Sequence, residues 1–274
     1  MPSRPVSNYT VTSVSEFVSL LEGTFPDSED LLFRGQGGDW PLLPKIARIR
    51  LRPGTDLLVT EQRLLNDFKL QAPSLVDLGP ESDWEWLSLA QHYGMATRLL
   101  DWTSNPLAAL WFSVEKPAET PCPPDLPKPP AVVWVFDSSK EDHVQESSKA
   151  SPFSGERTRV FRPKHIARRI IAQAGWHTVH KYIHDRKGFV PLERQSRYRG
   201  DLTKIVVPAE HFCNIRFGLD QCGVNAASLL TDLSGLCRHI EWLHSLLEDE
   251  MLEDEMEDGM AKGKLRRPGR KARR

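Results

Sequence analysis

The sequence lacks the long hydrophobic runs, the closely paired cysteines and the excess charge that mark several classes of protein. No stretch reaches the about eighteen uninterrupted apolar residues that a membrane-spanning helix needs. The first ten residues have no apolar core behind their charge, which argues against a secretory signal. The 274-residue chain has four cysteines, none of them two residues apart, which favours a reduced, cytoplasmic protein. A net charge of −1 gives the whole molecule no electrostatic preference for nucleic acid or for a membrane.

Standard catalytic motifs are missing as well. The sequence contains no P-loop, no Gly-x-Ser-x-Gly elbow and no His-Glu-x-x-His motif. The glycines after Arg34 lack the spacing of a dinucleotide fingerprint. Cys213 and Cys237 each lie two residues from a histidine, but they fall on predicted helices and read as structural cysteines. We therefore predict no metal site.

The hydrophobic pattern predicts a mixture of helices and strands that neither alternates regularly nor repeats. Helical periodicity occurs after Ser13, over 55–70, from Pro80 to His92, after Asn105, and over 164–175, 209–219 and 233–247. Short apolar runs predict strands over 31–33, 131–136, 176–180 and 204–208. This order is typical of an α+β fold, a single domain with a modest mixed β-sheet flanked by helices.

Composition divides the chain into three parts. Residues 1–30 hold an N-terminal helix and lead-in, and residues 31–246 form the domain, with a proline-rich insert at 117–130. Residues 247–274 form a tail with eight acids over 248–258 and eight bases over 262–274. Blocks of like charge are usually solvated, so we predict that this tail is disordered.

The densest group of polar side chains lies between apolar segments, over residues 91–103. It includes Gln91, His92, Arg98, Asp101 and Thr103. Buried polar groups must bond one another, so this stretch is either a satisfied polar core or a binding site. His92 reads first as a core histidine, and Asp101 as a structural acceptor that can meet Arg98 on one helical turn.

Three positions and one basic segment outside this stretch are further candidates. Arg34 and Gly35 follow a buried strand, where an arginine either pairs with Asp101 or grips a phosphate or carboxylate that approaches the glycine backbone. Gln173 can orient a ligand amide or hydroxyl, or lie in solvent. Residues 151–200 carry twelve Lys or Arg against three acids, which suits a phosphate-rich ligand, nucleic acid or a solvated face.

Several motifs resemble the FRG domain family. The resemblance begins at Leu32-Phe33-Arg34-Gly35 and is strongest over residues 91–103, followed by Asn105-Pro106. It continues at Arg169-Ile170 with Gln173 and Gly175, at 203–208, and at Asp232-Leu233 with Gly235-Leu236, and so spans about residues 31–242. The family occurs mainly in bacteria and their viruses, and the resemblance implies a shared fold more than a known activity.

A weaker resemblance links the aromatic-Arg-Gly strand end to ADP-ribosyltransferases of the Arg–Ser–Glu type. By that resemblance Arg34 would hold an NAD phosphate or ribose, and Thr103 or Ser104 would support the nicotinamide side. The third position calls for a Glu, but none stands beside Gln173, and Glu193 is the nearest candidate downstream. NAD is the cofactor that this resemblance implies.

Three hypotheses follow for function. The first is a pocket of Arg34, Gly35, Gln91, His92, Arg98, Asp101, Thr103 and Gln173 that binds a phosphate-bearing, nucleotide-like ligand, with ADP-ribosyl transfer as the candidate reaction. The second is a non-catalytic module that binds nucleic acid or protein through residues 151–200 and the charged tail. The third makes residues 91–103 purely architectural.

Overall fold

The computed structural model describes residues 6–76, 80–120, 126–144, 151–163 and 172–250. These residues form a seven-stranded mixed sheet with seven α-helices, which confirms the predicted α+β architecture. Within these ranges no helix is long and apolar enough to cross a membrane.

One sheet organises the molecule. Its strands are β1 (Ser7–Thr10), β2 (Leu31–Gln36), β3 (Leu99–Thr103), β4 (Ala131–Asp137), β5 (Arg159–Phe161), β6 (Gly175–Val179) and β7 (Leu202–Val207). Their order across the sheet is β1-β7-β4-β2-β3-β6-β5. Only β1 runs parallel to its neighbour β7, and the other pairs are antiparallel.

Two of the helices begin at the capping residues that the sequence indicates. The helices are α1 (Val14–Thr24), α2 (Leu57–Gln71), α3 (Asp83–His92), α4 (Pro106–Val114), α5 (Phe212–Gln221), α6 (Ala226–Leu230) and α7 (Leu233–His244). Ser13 caps α1, and the Asn105 side chain accepts from two amides of α4, which begins with Pro106. Glu16 reaches back past the cap to the Thr12 amide, at 2.8 Å.

The centre of the sheet is covered on both faces. All six residues of β4 before Asp137 are buried, which agrees with the continuous apolar run at 131–136. One face packs against α1, α4, α5 and α6. The other packs against irregular chain that includes Leu42, Leu192 and Tyr198.

The central polar stretch is a strand where we predicted a helical turn. Leu99–Thr103 pairs along its whole length with β6, which places Asp101 opposite His177. The prediction that Arg98 and Asp101 meet on one helical turn is therefore wrong, because cross-strand pairing outweighs the local i, i+3 spacing. The predicted helix over 164–175 falls largely outside the described residues, and Gly175 opens β6.

The first residues of the predicted tail make specific contacts. Arg216 bonds Asp249 at 2.6 Å and lies 3.4 Å from Glu250. The rest of the predicted tail, residues 251–274, lies outside the described residues.

The arrangement of β2 and β3 prepares the site. Of the two strands, only Phe33 and Thr103 form a registered pair. Beyond it, β2 continues through Arg34 to Gln36 while β3 runs through Trp102 and Asp101 without further pairing to β2. The space beside these residues is the cleft described next.

Candidate functional site

A cleft of about 450 Å³ opens between β2, β3 and α4. Arg34, Gly35, Asp101, Thr103 and Gln173 all line it. Five of the eight residues that the sequence singled out for ligand binding thus lie around one cavity, although they are far apart in the chain.

Gly35 has a packing role at this cleft. A Cβ placed on Gly35 would lie 1.8 Å from the Ala109 carbonyl oxygen and 2.8 Å from the Ser113 amide nitrogen. The backbone of β2 therefore touches the backbone of α4, and only glycine fits between them. We expected a ligand to approach Gly35. In the structure the backbone of α4 occupies the space where a Cβ of this residue would lie.

Arg34 is held in a fixed orientation. Its Nε donates to Gln36 Oε1 at 3.2 Å, and its Nη1 donates to the Asp101 carbonyl at 2.7 Å. Gln36 is fixed in turn because it donates to the Trp40 carbonyl. Within the described residues, Nη2 of Arg34 makes no hydrogen bond. Arg34 thus contacts Asp101, as one interpretation of the sequence predicts, but through its backbone carbonyl.

The electrostatic surroundings of Arg34 favour an anion. Burial lowers the pKa of Arg34, the carboxylate of Asp101 opposes that shift, and nearby Arg48 adds to it. A guanidinium stays protonated at neutral pH. Two arginines that repel each other at the edge of a cleft are stabilised when an anion lies between them.

Asp101 is the exposed member of an otherwise buried strand. Its neighbours Leu100 and Trp102 are 2% and 3% exposed, whereas its own side chain is 58% exposed. Gln91 Nε2 lies 3.1 Å from both carboxylate oxygens, and His177 Nδ1 lies 3.2 Å from Oδ1. The ring nitrogens of buried His177 have no well-aligned hydrogen-bond partner in the described part of the chain. The carboxylate is thus held from the protein side and open on the other.

These contacts keep Asp101 ionised. Crowding by protein atoms raises the pKa of Asp101, but His177, Arg34 and Gln91 together outweigh it and hold that pKa below its ordinary value. At neutral pH the carboxylate is therefore an acceptor only.

Thr103 and Gln173 close one end of the cleft by bonding each other. The Thr103 hydroxyl donates to the Gln173 carbonyl and accepts from the Asn105 amide at 2.9 Å. The Gln173 side chain donates to the Leu229 carbonyl at 3.1 Å. Their polar groups are committed to backbone partners, so their role in this structure is to join β3 to α4 and α6.

Gln91 and His92 do not line the cleft. Gln91 contacts a residue of the cleft lining from the protein side. Its side-chain Nε2 donates to the Asp101 carboxylate, and its Oε1 accepts from the Thr97 hydroxyl at 2.7 Å. His92 packs edge-on against Tyr93, with ring centroids 5.0 Å apart. The hypothesis that His92 shares a pocket with Arg34 is not supported by this placement.

Arg98 also lies away from the cleft, in a buried ion pair. Its Nε and Nη2 donate to Glu61 at 2.9 and 2.6 Å, and its backbone amide donates to the same carboxylate at 3.1 Å. The two side chains are 2% and 1% exposed. Phe153 lies over the guanidinium at 4.6 Å. Arg98 therefore joins α2 to the start of β3 and is not placed to hold a ligand in the cleft.

Glu193, the weak candidate for a catalytic acid, is outside the cleft too. Its carboxylate accepts from the Leu42 amide at 3.1 Å, and the Leu192 amide donates to the Leu42 carbonyl. Burial raises the pKa of Glu193, and hydrogen bonds from backbone amides offset part of that shift. The side chain fastens two irregular segments to each other.

Several residues that line the cleft were not predicted from the sequence. They are the aromatic residues Trp40 and Phe112, the cations Arg48 and Lys116, and the acids Glu115 and Glu119. Trp40 is 49% exposed, which is unusual for tryptophan, but this signal requires knowledge of burial. Arg48 and Lys116 make no hydrogen bond or ion pair with any described residue, whereas Glu115 bonds Arg238 at 3.1 Å.

No group of three or more potential metal ligands occurs in the described ranges. Cys213 is buried, and Cys222 and Cys237 are exposed free thiols.

Comparison with protein families decides the identity of this region. Residues 29–121 match the model of the FRG domain. The chain carries an FRG domain. The match runs from β2 to just beyond α4 and so includes Arg34, Gly35 and Asp101. Searches of curated proteins and of solved structures found no significant match. Most of the cleft is thus built by the FRG domain, and Gln173 joins it from outside the matched span.

Proposed function

We propose that the cleft of the FRG domain binds a phosphate-bearing, nucleotide-like ligand. The observation that carries this proposal is the fixed guanidinium of Arg34, which has one amino group without a partner in the described residues and a second arginine, Arg48, nearby. Arginine in a fixed geometry recognises phosphate oxygens directionally. Because Arg34 is already ordered, a ligand loses little side-chain entropy on binding it.

The remaining wall of the cleft suits the rest of a nucleotide. Trp40 and Phe112 supply aromatic surface, on which a base can stack for about 1–3 kcal/mol. Lys116 adds a third cation. The volume of about 450 Å³ lies in the ordinary range for small-molecule sites.

Calorimetric titration tests this proposal. NAD, ADP-ribose, ADP and inorganic pyrophosphate are titrated into the wild type, Arg34→Ala and the control Arg63→Ala, whose arginine is exposed on α2. A charge-assisted hydrogen bond contributes about 1.5–3 kcal/mol, so Arg34→Ala should weaken binding by about 10- to 150-fold. Arg63→Ala should bind like the wild type. If no ligand binds the folded wild type, the proposal is wrong.

ADP-ribosyl transfer from NAD is the candidate reaction. It requires a carboxylate that stabilises positive charge on the ribose as nicotinamide leaves. The cleft offers Asp101, a residue of its lining whose carboxylate is ionised and 58% exposed. Nicotinamide release from NAD by the wild type, abolished in Asp101→Asn, would support this reaction. Binding of NAD without turnover would leave a ligand-binding domain and exclude the enzyme.

A specific feature also favours the alternative, a nucleic-acid-binding module. Arg157, Arg159 and Lys181 line a separate hollow of about 210 Å³ at the β5 edge of the sheet. Such a cluster can hold phosphates of a nucleic-acid backbone. Binding to short RNA or DNA should then weaken steeply with added salt, and Arg159→Ala should reduce the slope. No binding at low salt excludes this alternative.

A further inference from the structure

We propose that Asp101 accepts a hydrogen bond from the 2′-hydroxyl of a ribose, so that the cleft selects ribose phosphates over deoxyribose phosphates. This inference rests on the phosphate-binding function proposed above and assigns the second half of the ligand.

The carboxylate of Asp101 is accessible from the cleft. Acidic side chains in a buried strand are normally excluded or fully paired. Asp101 is neither, since its side chain is 58% exposed within a strand whose other four members are buried. Asp101 and Arg34 line the same cavity.

The same carboxylate is positioned before a ligand binds. The Thr97 hydroxyl, on a residue that is 0% exposed, donates to Gln91 Oε1. This bond fixes which end of the Gln91 amide is the donor, and Nε2 then points at Asp101. A chain from buried Thr97 through Gln91 thus sets the orientation of Asp101.

Asp101 also retains capacity to accept hydrogen bonds. A carboxylate has about four lone-pair positions. Gln91 and His177 approach it from the protein, and no other described residue donates a hydrogen bond to its oxygens. Gln91 and His177 both approach Oδ1, whereas Gln91 alone approaches Oδ2, so capacity remains for one donor from the cleft, at Oδ2.

The charge of the cleft decides which donor that is. Three acids also line the cleft, but Glu115 is paired with Arg238. The cations Arg34, Arg48 and Lys116 therefore outnumber the remaining acids, Asp101 and Glu119, and an ammonium group is a poor partner for Asp101 here. Neutral hydroxyls are not repelled. In dinucleotide sites an acidic side chain accepts a hydrogen bond from the ribose 2′-hydroxyl, and Oδ2 of Asp101 can accept in the same way.

The spacing of the two recognition groups points to a compact ligand. Arg34 Nη1 donates to the backbone carbonyl of Asp101 itself, so the phosphate-binding guanidinium and the carboxylate belong to directly bonded residues. A ribose carries its phosphate and its 2′-hydroxyl on one ring. Ribose phosphates therefore bring both groups to both partners at once.

The test compares matched ligands on the wild type. ADP, 2′-deoxy-ADP, ribose 5-phosphate and 2-deoxyribose 5-phosphate are titrated by calorimetry. Loss of one hydroxyl that bonds a charged acceptor should weaken binding by about 10- to 100-fold. Equal affinity for the ribose and deoxyribose forms overturns this inference while leaving phosphate binding intact. Absence of binding by all four ligands instead overturns the proposed function, and this inference with it.

Three variants separate ribose recognition, positioning of the carboxylate and phosphate binding. Asp101→Asn should lose the preference for ribose but keep affinity for 2′-deoxy-ADP, since the arginines remain. Gln91→Met should reduce the preference without removing it, because the carboxylate stays but is no longer oriented. Arg34→Ala should weaken ribose and deoxyribose ligands equally. If Asp101→Asn still prefers ribose ligands, the assignment of Asp101 is wrong. If Asp101→Asn fails to fold, the comparison of ribose and deoxyribose ligands on the wild type still tests the inference.

Discussion

The buried pair of Arg98 and Glu61 allows a quantitative test of the conclusion that Arg98 is structural. Replacement of Glu61 by Ala leaves the guanidinium without its counter-charge and leaves three donors without their acceptor, namely the amide, Nε and Nη2 of Arg98. Breaking such a pair by removing one member costs about 3–5 kcal/mol. Typical domains have only about 5–15 kcal/mol of stability, so this loss is a large share.

The double replacement provides the internal comparison. The double variant Glu61→Met, Arg98→Met contains no charge at this buried pair. The backbone amide of residue 98 loses its acceptor, which should lower the free energy of unfolding by about 1–3 kcal/mol. The double variant should therefore be more stable than Glu61→Ala, although it loses more polar groups. Asp67→Ala, an exposed acid on the same helix α2, should change stability by less than about 0.5 kcal/mol.

Urea unfolding at pH 7 measures these differences, with equal denaturant slopes as the check on comparability. If Glu61→Ala costs less than about 1 kcal/mol, the pair does not hold α2 to β3 as described. If the double variant is less stable than Glu61→Ala, the unpaired charge is not the source of the loss. If Arg98→Met folds but binds the cleft ligands more weakly than the wild type, Arg98 takes part in ligand binding.

Three further predictions concern packing, pH and Glu193. Gly35→Ala should lower the free energy of unfolding by at least about 3 kcal/mol, because the new Cβ would meet the Ala109 carbonyl. Gly23→Ala, whose Cβ would have nothing within 4 Å, should raise the free energy of unfolding by about 0.5–1 kcal/mol. Thermal melting compares the two variants. Burial, together with Arg34 and Arg98, lowers the pKa of His180 to about 3, so its protonation opposes the folded state. Unfolding free energy should fall as pH drops from about 6.5 towards 3, by about 1.4 kcal/mol per pH unit, and urea titrations of His180→Asn should lose this slope. Glu193→Gln should change neither ligand affinity nor stability by more than about 1 kcal/mol, since the glutamine side-chain oxygen can still accept from the Leu42 amide. A larger loss of ligand affinity would place Glu193 in the binding site.

The parts of the fold that the sequence predicted are those with strong local signals. Asn105-Pro106 marked the start of α4, and the apolar run at 131–136 marked the buried strand β4. The FRG-like motif at 91–103 located three residues in or directly behind the cleft, namely Gln91, Asp101 and Thr103.

The features that were missed depend on partners distant in sequence. β3 is a strand because β6 pairs with it, about seventy-five residues later, and nothing local distinguishes it from a turn. Arg98 is structural because Glu61 on α2 receives it, a contact that no i, i+3 or i, i+4 rule reveals. The close packing of Gly35 also depends on a distant partner, because the backbone of α4 occupies the position of its Cβ.

Arg34 is the central residue of the proposed binding site, and a crystal structure of the protein with ADP is the most direct test of its role. We predict a phosphate oxygen within hydrogen-bond distance of Arg34 Nη2, between Arg34 and Arg48, with the ribose facing Asp101. Nucleotide bound at the hollow of Arg157, Arg159 and Lys181, with the cleft between β2, β3 and α4 empty, would contradict this role.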